Sequence, residues 1–155
     1  MTKSIPLSQG KFALVDDDMF DYLMQWKWSY RHGYAYRKKG MPSRDNIHMH
    51  RVIMNTPDGM QTDHINGDGL DNRRANLRIC TDVENKRNKG LISSNTSGYK
   101  GVSWNAPRKQ YQAYIKVNNK VIFLGRYPEP ESAGHAYDEA AKKYFGEFAR
   151  LNFPE

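Results

Sequence analysis

Between Gln61 and Asn88 the chain reads QTDHINGDGLDNRRANLRICTDVENKRN, and this stretch narrows the choice of fold more than any other. Asn66-Gly67-Asp68-Gly69 tolerate positive φ and permit a tight reversal. After the reversal, Asn76-Leu77-Arg78-Ile79-Cys80 alternates apolar and polar residues, which predicts a returning strand. Thr81-Asp82-Val83-Glu84 matches a capping box, so a helix is expected with Thr81 as N-cap and Asn85 in its first turn. The expected local order is strand, loop, strand, helix.

That order lets one metal ion sit between a strand and a helix. Asp63 offers an anionic oxygen and Asn85 a neutral one; both are hard donors that suit Mg²⁺ or Mn²⁺ better than Zn²⁺. Two protein ligands leave room for water and a phosphate, as Mg²⁺ prefers. His64 is the one group here that takes up a proton near neutral pH, which makes it the natural general base. An amide such as Asn76 suits the task of fixing the imidazole tautomer. Base, orienter and a single ion describe metal-assisted hydrolysis of a phosphodiester. Two other metal sites fail on residue type. An EF-hand alignment puts His64 at the first ligand position and Ala75 at the twelfth, where Glu is needed. A zinc site lacks thiols, since Cys80 is the single cysteine.

Charge points to the partner. The net charge is +7 with a pI near 9.5, which favours a polyanion. From Met49 to Leu91, however, seven basic residues oppose six acidic ones, as expected where carboxylates hold a cation. Arg73, Arg74, Arg78, Lys86 and Arg87 flank that region as candidate phosphate contacts. No apolar run is long enough to span a membrane, and one cysteine fits a reducing cytoplasm.

The flanking segments read as separate small modules. In residues 1–47, Lys11–Val15 reads as a strand and Phe20–Trp26 as a short helix with Asp18 as N-cap. Trp26–Arg31 and Tyr34–Lys38 read as a hairpin closed at His32-Gly33. Its basic residues Arg31, Arg37, Lys38, Lys39 and Arg44 are further phosphate candidates. His48 and His50 alternate on an expected strand before a turn at Arg51–Met54; with no third ligand nearby they are left out of the metal site. Residues 92–97 (ISSNTS) read as a linker. Residues 98–155 read as three strands, Tyr99–Asn105, Tyr111–Val117 and Lys120–Arg126, followed by a helix from Pro130 to Phe145.

The segment from about His50 to Asn88 resembles the HNH (ββα-metal) endonucleases of the phage and intron homing type. Asp63-His64, Asn76 and Asn85 carry the resemblance, with His50-Arg51, Leu70-Asp71-Asn72 and Leu77-Arg78 around them. It implies that His64 activates water, that Asn76 orients His64, and that Asp63 and Asn85 bind the metal. Residues 97–154 are similar to the plant APETALA2/ethylene-response-factor DNA-binding domain, through Tyr99-Lys100-Gly101-Val102, Phe123-Leu124-Gly125, Ala136-Tyr137-Asp138, Ala140-Ala141 and Leu151-Asn152-Phe153-Pro154. That resemblance implies a sheet lying in the DNA major groove, with Lys100, Ser103, Tyr114, Lys116 and Phe123 at matched positions. Ser103, Tyr114 and Val121 replace charged residues of the plant face and Phe123 replaces a tryptophan, so the target sequence does not carry over.

The expectation is an α+β chain: a β-rich N-terminal module (1–47), a nuclease core (48–91), a linker (92–97), and a three-stranded antiparallel sheet on one helix (98–155). Its expected activity is metal-dependent nicking of double-stranded DNA, probing a phage or mobile-element role in a bacterial cytoplasm with no obligate protein partner. The competing readings are a DNA-binding regulator with a vestigial core and a nuclease of RNA or branched DNA.

Overall fold

The computed structural model describes every residue except Pro42, Arg44, Ile92 and Glu155. The phosphate candidate Arg44 and the first linker position thus lie outside the described residues. The chain divides into two compact units, Met1–Asn85 and Lys86–Glu155.

Unit 1 begins with an antiparallel pair, β1 (Thr2–Pro6) and β2 (Phe12–Asp16), then α1 (Asp17–Leu23). The helix starts three residues before the expected Phe20, because Asp17 and Asp18 favourably occupy its first turn. β3 (Ser29–Arg31) and β4 (Tyr34–Lys38) form the expected hairpin. Its two turn residues, His32 and Gly33, both have positive φ, as a two-residue hairpin turn requires. β5 (Asn46–His48) pairs with β4. The expected turn at Arg51–Met54 is instead the last four residues of α2 (Met49–Met54), which closes on Asn55 in the left-handed conformation. Met49 and Ile53 lie one helical turn apart and both are buried, which rewards helix over strand.

β6 (Gln61–His64) pairs antiparallel with β7 (Leu77–Cys80), and α3 (Asp82–Arg87) follows. The capping box forms: Thr81 N–H donates to Glu84 Oε2 (2.8 Å), and Glu84 N–H donates to Thr81 Oγ1 (3.3 Å). One core serves both ends of unit 1, since Ile5, Val15, Leu23 and Trp28 cluster with Met49, Ile53 and Leu77.

Unit 2 contains β8 (Val102–Asn105), β9 (Gln110–Val117) and β10 (Lys120–Tyr127) in the order β10-β9-β8, with α4 (Pro130–Phe145). The sequence boundaries hold to within a residue or two, except at the start of β8. There Tyr99–Gly101 make a turn, secured by Ser97 Oγ donating to the carbonyls of Tyr99 and Val102. Ala133, Ala140 and Ala141 let α4 approach Ala113 and Ile115 of β9 closely. The C-terminal segment returns to α4, where the buried Asp138 carboxylate accepts from the backbone N–H groups of Asn152 and Phe153. Among the described residues no helix is long and apolar enough to cross a membrane.

Candidate active site

The loop between β6 and β7 is built from its own side chains. Asn66 Oδ1 accepts from Asp68 N–H (2.8 Å), and Asp68 Oδ1 accepts from Leu70 N–H (2.9 Å). Asn76 crosses the loop from its far end. Its Oδ1 accepts from Asn66 N–H (3.0 Å), while its Nδ2 donates to Asp71 carbonyl (2.8 Å) and to Asn66 Oδ1 (3.0 Å). The sequence reading gave Asn76 the imidazole; in the structure its side chain holds the loop that follows His64.

The partner of His64 is Asn72, whose Oδ1 lies 3.1 Å from His64 Nε2. An amide oxygen only accepts, so Nε2 carries the proton and the basic lone pair falls on Nδ1. Asn72 is itself fixed, being 1% exposed, with its N–H donating to the carbonyl of Leu14 (2.8 Å). Leu14 N–H in turn donates to Leu70 carbonyl (2.8 Å), so β2 runs alongside the loop. The N-terminal hairpin therefore positions the His64 imidazole by two steps, Leu14 to Asn72 and Asn72 to His64. Sequence reasoning missed both, although Asn72 stood within the segment that carried the family resemblance.

Burial is the main force on His64, pushing its pKa below the usual imidazole value, while the Asn72 hydrogen bond and Asp63 push it partly back up. The imidazole is thus neutral at neutral pH, the state a general base needs. His50 lies edge-on to His64 with ring centroids 5.0 Å apart, and His48 stacks on His50 at 5.3 Å. Tyr34 of β4 packs against all three rings. The two histidines left out of the metal site thus pack as rings beside His64. Burial drives the His50 pKa down to about 3, so this wall stays uncharged.

Gly69 lets the loop lie on this aromatic wall. A Cβ there would fall 2.4 Å from the Gly33 carbonyl oxygen and 2.6 Å from the Tyr34 ring. Gly69→Ala is expected to destabilise unit 1 by about 1–3 kcal/mol, the usual cost of overpacking. Thermal unfolding checks this, and an unchanged midpoint would show that the loop moves freely.

Asp63 lies opposite Arg78 in the β6–β7 pair. Arg78 Nε and one terminal nitrogen both donate to Asp63 Oδ2, at 2.9 and 2.7 Å, with both side chains largely buried. Asn85, in the first turn of α3, is half-buried. Its backbone N–H and the Asp63 charge both act on the buried Cys80 thiol, which burial chiefly raises to about 11. Among the described residues no three His, Cys, Asp or Glu side chains converge as a metal cage. The oxygen donors of Asp63 and Asn85, one carboxylate and one amide, are of the type that suits a hard, water-rich ion such as Mg²⁺ better than a closed zinc site.

Several residues nominated as phosphate contacts have other engagements. Arg73 holds Asp71 through two bonds of 2.7 and 2.6 Å, and keeps that carboxyl below the usual carboxylate range. Arg74 pairs with Asp18 at 2.6 Å, and its N–H donates to Asp16. Arg78 binds Asp63. In unit 2 Lys86 is exposed, while the Arg87 guanidinium lies 4.8 Å over the Phe145 ring. Lys100 Nζ donates to the carbonyls of Arg87 (2.5 Å) and Lys89 (2.6 Å), with its pKa lowered by burial to about 8.

Ser103, Tyr114, Lys116 and Phe123 share the sheet face directed away from α4. Tyr114 lies 5.3 Å from Phe123, and Lys116 is exposed. Arg126 joins this face. A bulge between Phe123 and Gly125 shifts the register so that Arg126 stands opposite Gln112, with its guanidinium 5.0 Å over Phe123. Lys116→Ala is accordingly expected to lower the salt slope of DNA binding by about one unit. Lys100→Ala is expected to leave that slope unchanged and to lower the melting point instead. A slope change of equal size for the two variants would contradict their different settings.

The chain is similar to proteins of two kinds. The HNH endonuclease family model matches residues 48–87. An HNH endonuclease of Acanthamoeba polyphaga mimivirus is 31% identical over 153 residues, covering 93% of this chain and 76% of that protein. Protein 3.8 of Escherichia phage T7 is 38% identical over 64 residues, 41% of this chain and 53% of that protein. A rice (Oryza sativa subsp. japonica) protein described as containing AP2/ERF and B3 domains is 36% identical over 73 residues, 47% of this chain and 20% of its own length.

Proposed function

Because the chain belongs to the HNH endonuclease family, we propose that it cleaves duplex DNA with the help of one divalent cation. The observation that carries this reading is the setting of His64: a buried, neutral imidazole, oriented through Nε2 by Asn72, one residue from the carboxylate of Asp63.

Asp63 and Asn85 would hold the cation, Mg²⁺ or Mn²⁺, which would supply positive charge to offset the negative charge developing on the cleaved phosphodiester. His64 Nδ1 removes a proton from the attacking water. Asn76 keeps the loop closed, so the imidazole keeps its place relative to β6. One such site cuts one strand, so a monomer nicks. Residues 48–91 carry the cleavage and residues 98–155 the recognition, joined through 92–97. In the recognition part Ser103, Tyr114, Lys116, Phe123 and Arg126 present a basic, aromatic sheet face suited to the major groove. A nuclease joined to a DNA reader suits a homing or mobile-element role, phage-encoded and acting in the host cytoplasm; that step is analogy.

A substrate panel tests the reading. Supercoiled duplex DNA, branched DNA and single-stranded RNA are each incubated with the full chain across a series of Mg²⁺ and Mn²⁺ concentrations. The expected result is nicking of the duplex at either metal. Faster hydrolysis of RNA would replace DNA as the substrate, and cleavage of branched DNA alone would make this a structure-specific nuclease. The pH profile of the duplex reaction follows from the depressed pKa of His64. The base is lost only on protonation, so the rate is flat above pH 6.5 and declines at pH values below it.

A further inference from the structure

In unit 1 an open pocket of about 370 Å³ lies between the Trp26–Ser29 segment and the end of β4, lined by Trp26, Lys27, Ser29, Tyr36, Arg37 and Lys38. Three of these six carry positive charge, and no Asp or Glu lines the pocket among the described residues. The Arg37 guanidinium lies 4.5 Å over the Trp26 ring and 5.8 Å from Trp28. Stacking uses the face of the guanidinium and leaves its N–H groups, which lie in the plane, to bond elsewhere. The Arg37 Nε is buried and has no hydrogen-bond partner. Among the described residues, Lys27, Arg37 and Lys38 form no salt bridge, whereas Arg73, Arg74 and Arg78 all do.

We infer that this pocket is the anion-binding site by which unit 1 grips its substrate, and that its occupant is a backbone phosphate of the DNA near the cleaved bond. The inference rests on the DNA-cleaving role proposed above. Two observations favour it. The first is the contrast just described: Arg73, Arg74 and Arg78 each pair with a carboxylate, whereas Lys27, Arg37 and Lys38 of this pocket form no salt bridge among the described residues. The second is position. Tyr34, at the start of β4, packs on His64, and Lys38 ends the same strand. Four residues of extended chain span about 13 Å, which corresponds to about four phosphates along one DNA strand. A guanidinium fork matches a phosphate with two parallel bonds, and a stacked, pre-positioned arginine loses less freedom on binding one.

The test uses the full chain in EDTA, so that binding is read without cleavage. Affinity for a duplex is measured against salt concentration for wild type, Arg37→Gln, and Lys27→Gln. Arg37→Gln and Lys27→Gln are each expected to reduce the slope of log K against log salt, by up to about one unit, the signature of a lost phosphate contact. Lys27 is exposed, so Lys27→Gln keeps the test valid should Arg37→Gln fold poorly. A second reading uses duplexes with one uncharged methylphosphonate at successive positions around the mapped cut. One position within about four nucleotides of the cut should weaken wild-type binding yet cause no added loss in the Arg37→Gln variant. Folded variants with the wild-type slope and the wild-type methylphosphonate pattern would overturn the pocket and leave the nuclease reading standing. A wild type that neither binds nor cuts DNA would overturn both.

Discussion

Replacing His64 with alanine lowers the cleavage rate by roughly 10²–10⁴-fold, the usual contribution of a positioned general base, and leaves DNA affinity close to that of wild type. The asymmetry follows from the site. His64 is buried and neutral, and its Nε2 is engaged by Asn72, so it contributes little charge to the ground-state complex. In the proposed role its work is confined to the step in which water loses a proton. Single-turnover cleavage under saturating enzyme, beside binding in EDTA, separates the two quantities. A parallel loss of binding and rate would assign His64 to the structure of the loop and not to the reaction. Asn72→Ala gives an intermediate expectation: the base remains but loses its orienting bond, so the rate falls less than with His64→Ala.

Arg78→Ala is expected to be the most damaging single change to the stability of unit 1. The Asp63 carboxylate is 6% exposed, and Arg78 neutralises it through two short bonds to one oxygen. Removing one partner of a buried ion pair leaves the other charge uncompensated, at a cost of about 3–5 kcal/mol. At the proposed metal site, a divalent cation bound at Asp63 would offset the same loss. Denaturant unfolding of the variant with Mg²⁺ and with EDTA therefore shows a larger metal-dependent gain than wild type does. A loss under about 1 kcal/mol with no metal effect would mean that the pair behaves as a surface salt bridge, against its burial in the fold.

What the sequence disclosed here, and what it concealed, follows from the range of each interaction. The β6–loop–β7–α3 unit was legible because its signals are local: asparagine and glycine at the reversal, alternation in β7, and a capping box four residues long. The C-terminal sheet and α4 were legible for the same reason. The partner of His64 was not. Asn72 and Asn76 are both amides in the same loop, and the choice between them depends on the Leu14 carbonyl, 58 residues before Asn72. A backbone carbonyl leaves no mark on residue type, so nothing at Leu14 announced its part. The engagements of the arginines were hidden in a related way: charge was visible, but the carboxylates that face Arg74 come from α1 and its start, more than fifty residues away. Arg126 was hidden by the β10 bulge, since strict alternation assigns it to the face opposite Phe123. The α2 segment was misread because Ile47 and Met49 extend a strand alternation that the chain abandons at Met49 to bury Ile53.

The shared core of unit 1 changes how its N-terminal part is understood. β1 and β2 do not merely adjoin the cleavage site, since Leu14 carries the hydrogen bond that positions Asn72. Loss of this hairpin should therefore reduce catalysis even where the Asp63-to-Asn85 segment is intact.

The proposal that Asp63, His64 and Asn85 make a metal-dependent nuclease is tested by incubating supercoiled plasmid with wild type and His64→Ala, each in Mg²⁺ and in EDTA. The prediction is conversion to nicked circles by wild type in Mg²⁺ alone. Equal nicking in EDTA, or equal nicking by the His64→Ala variant, would contradict it.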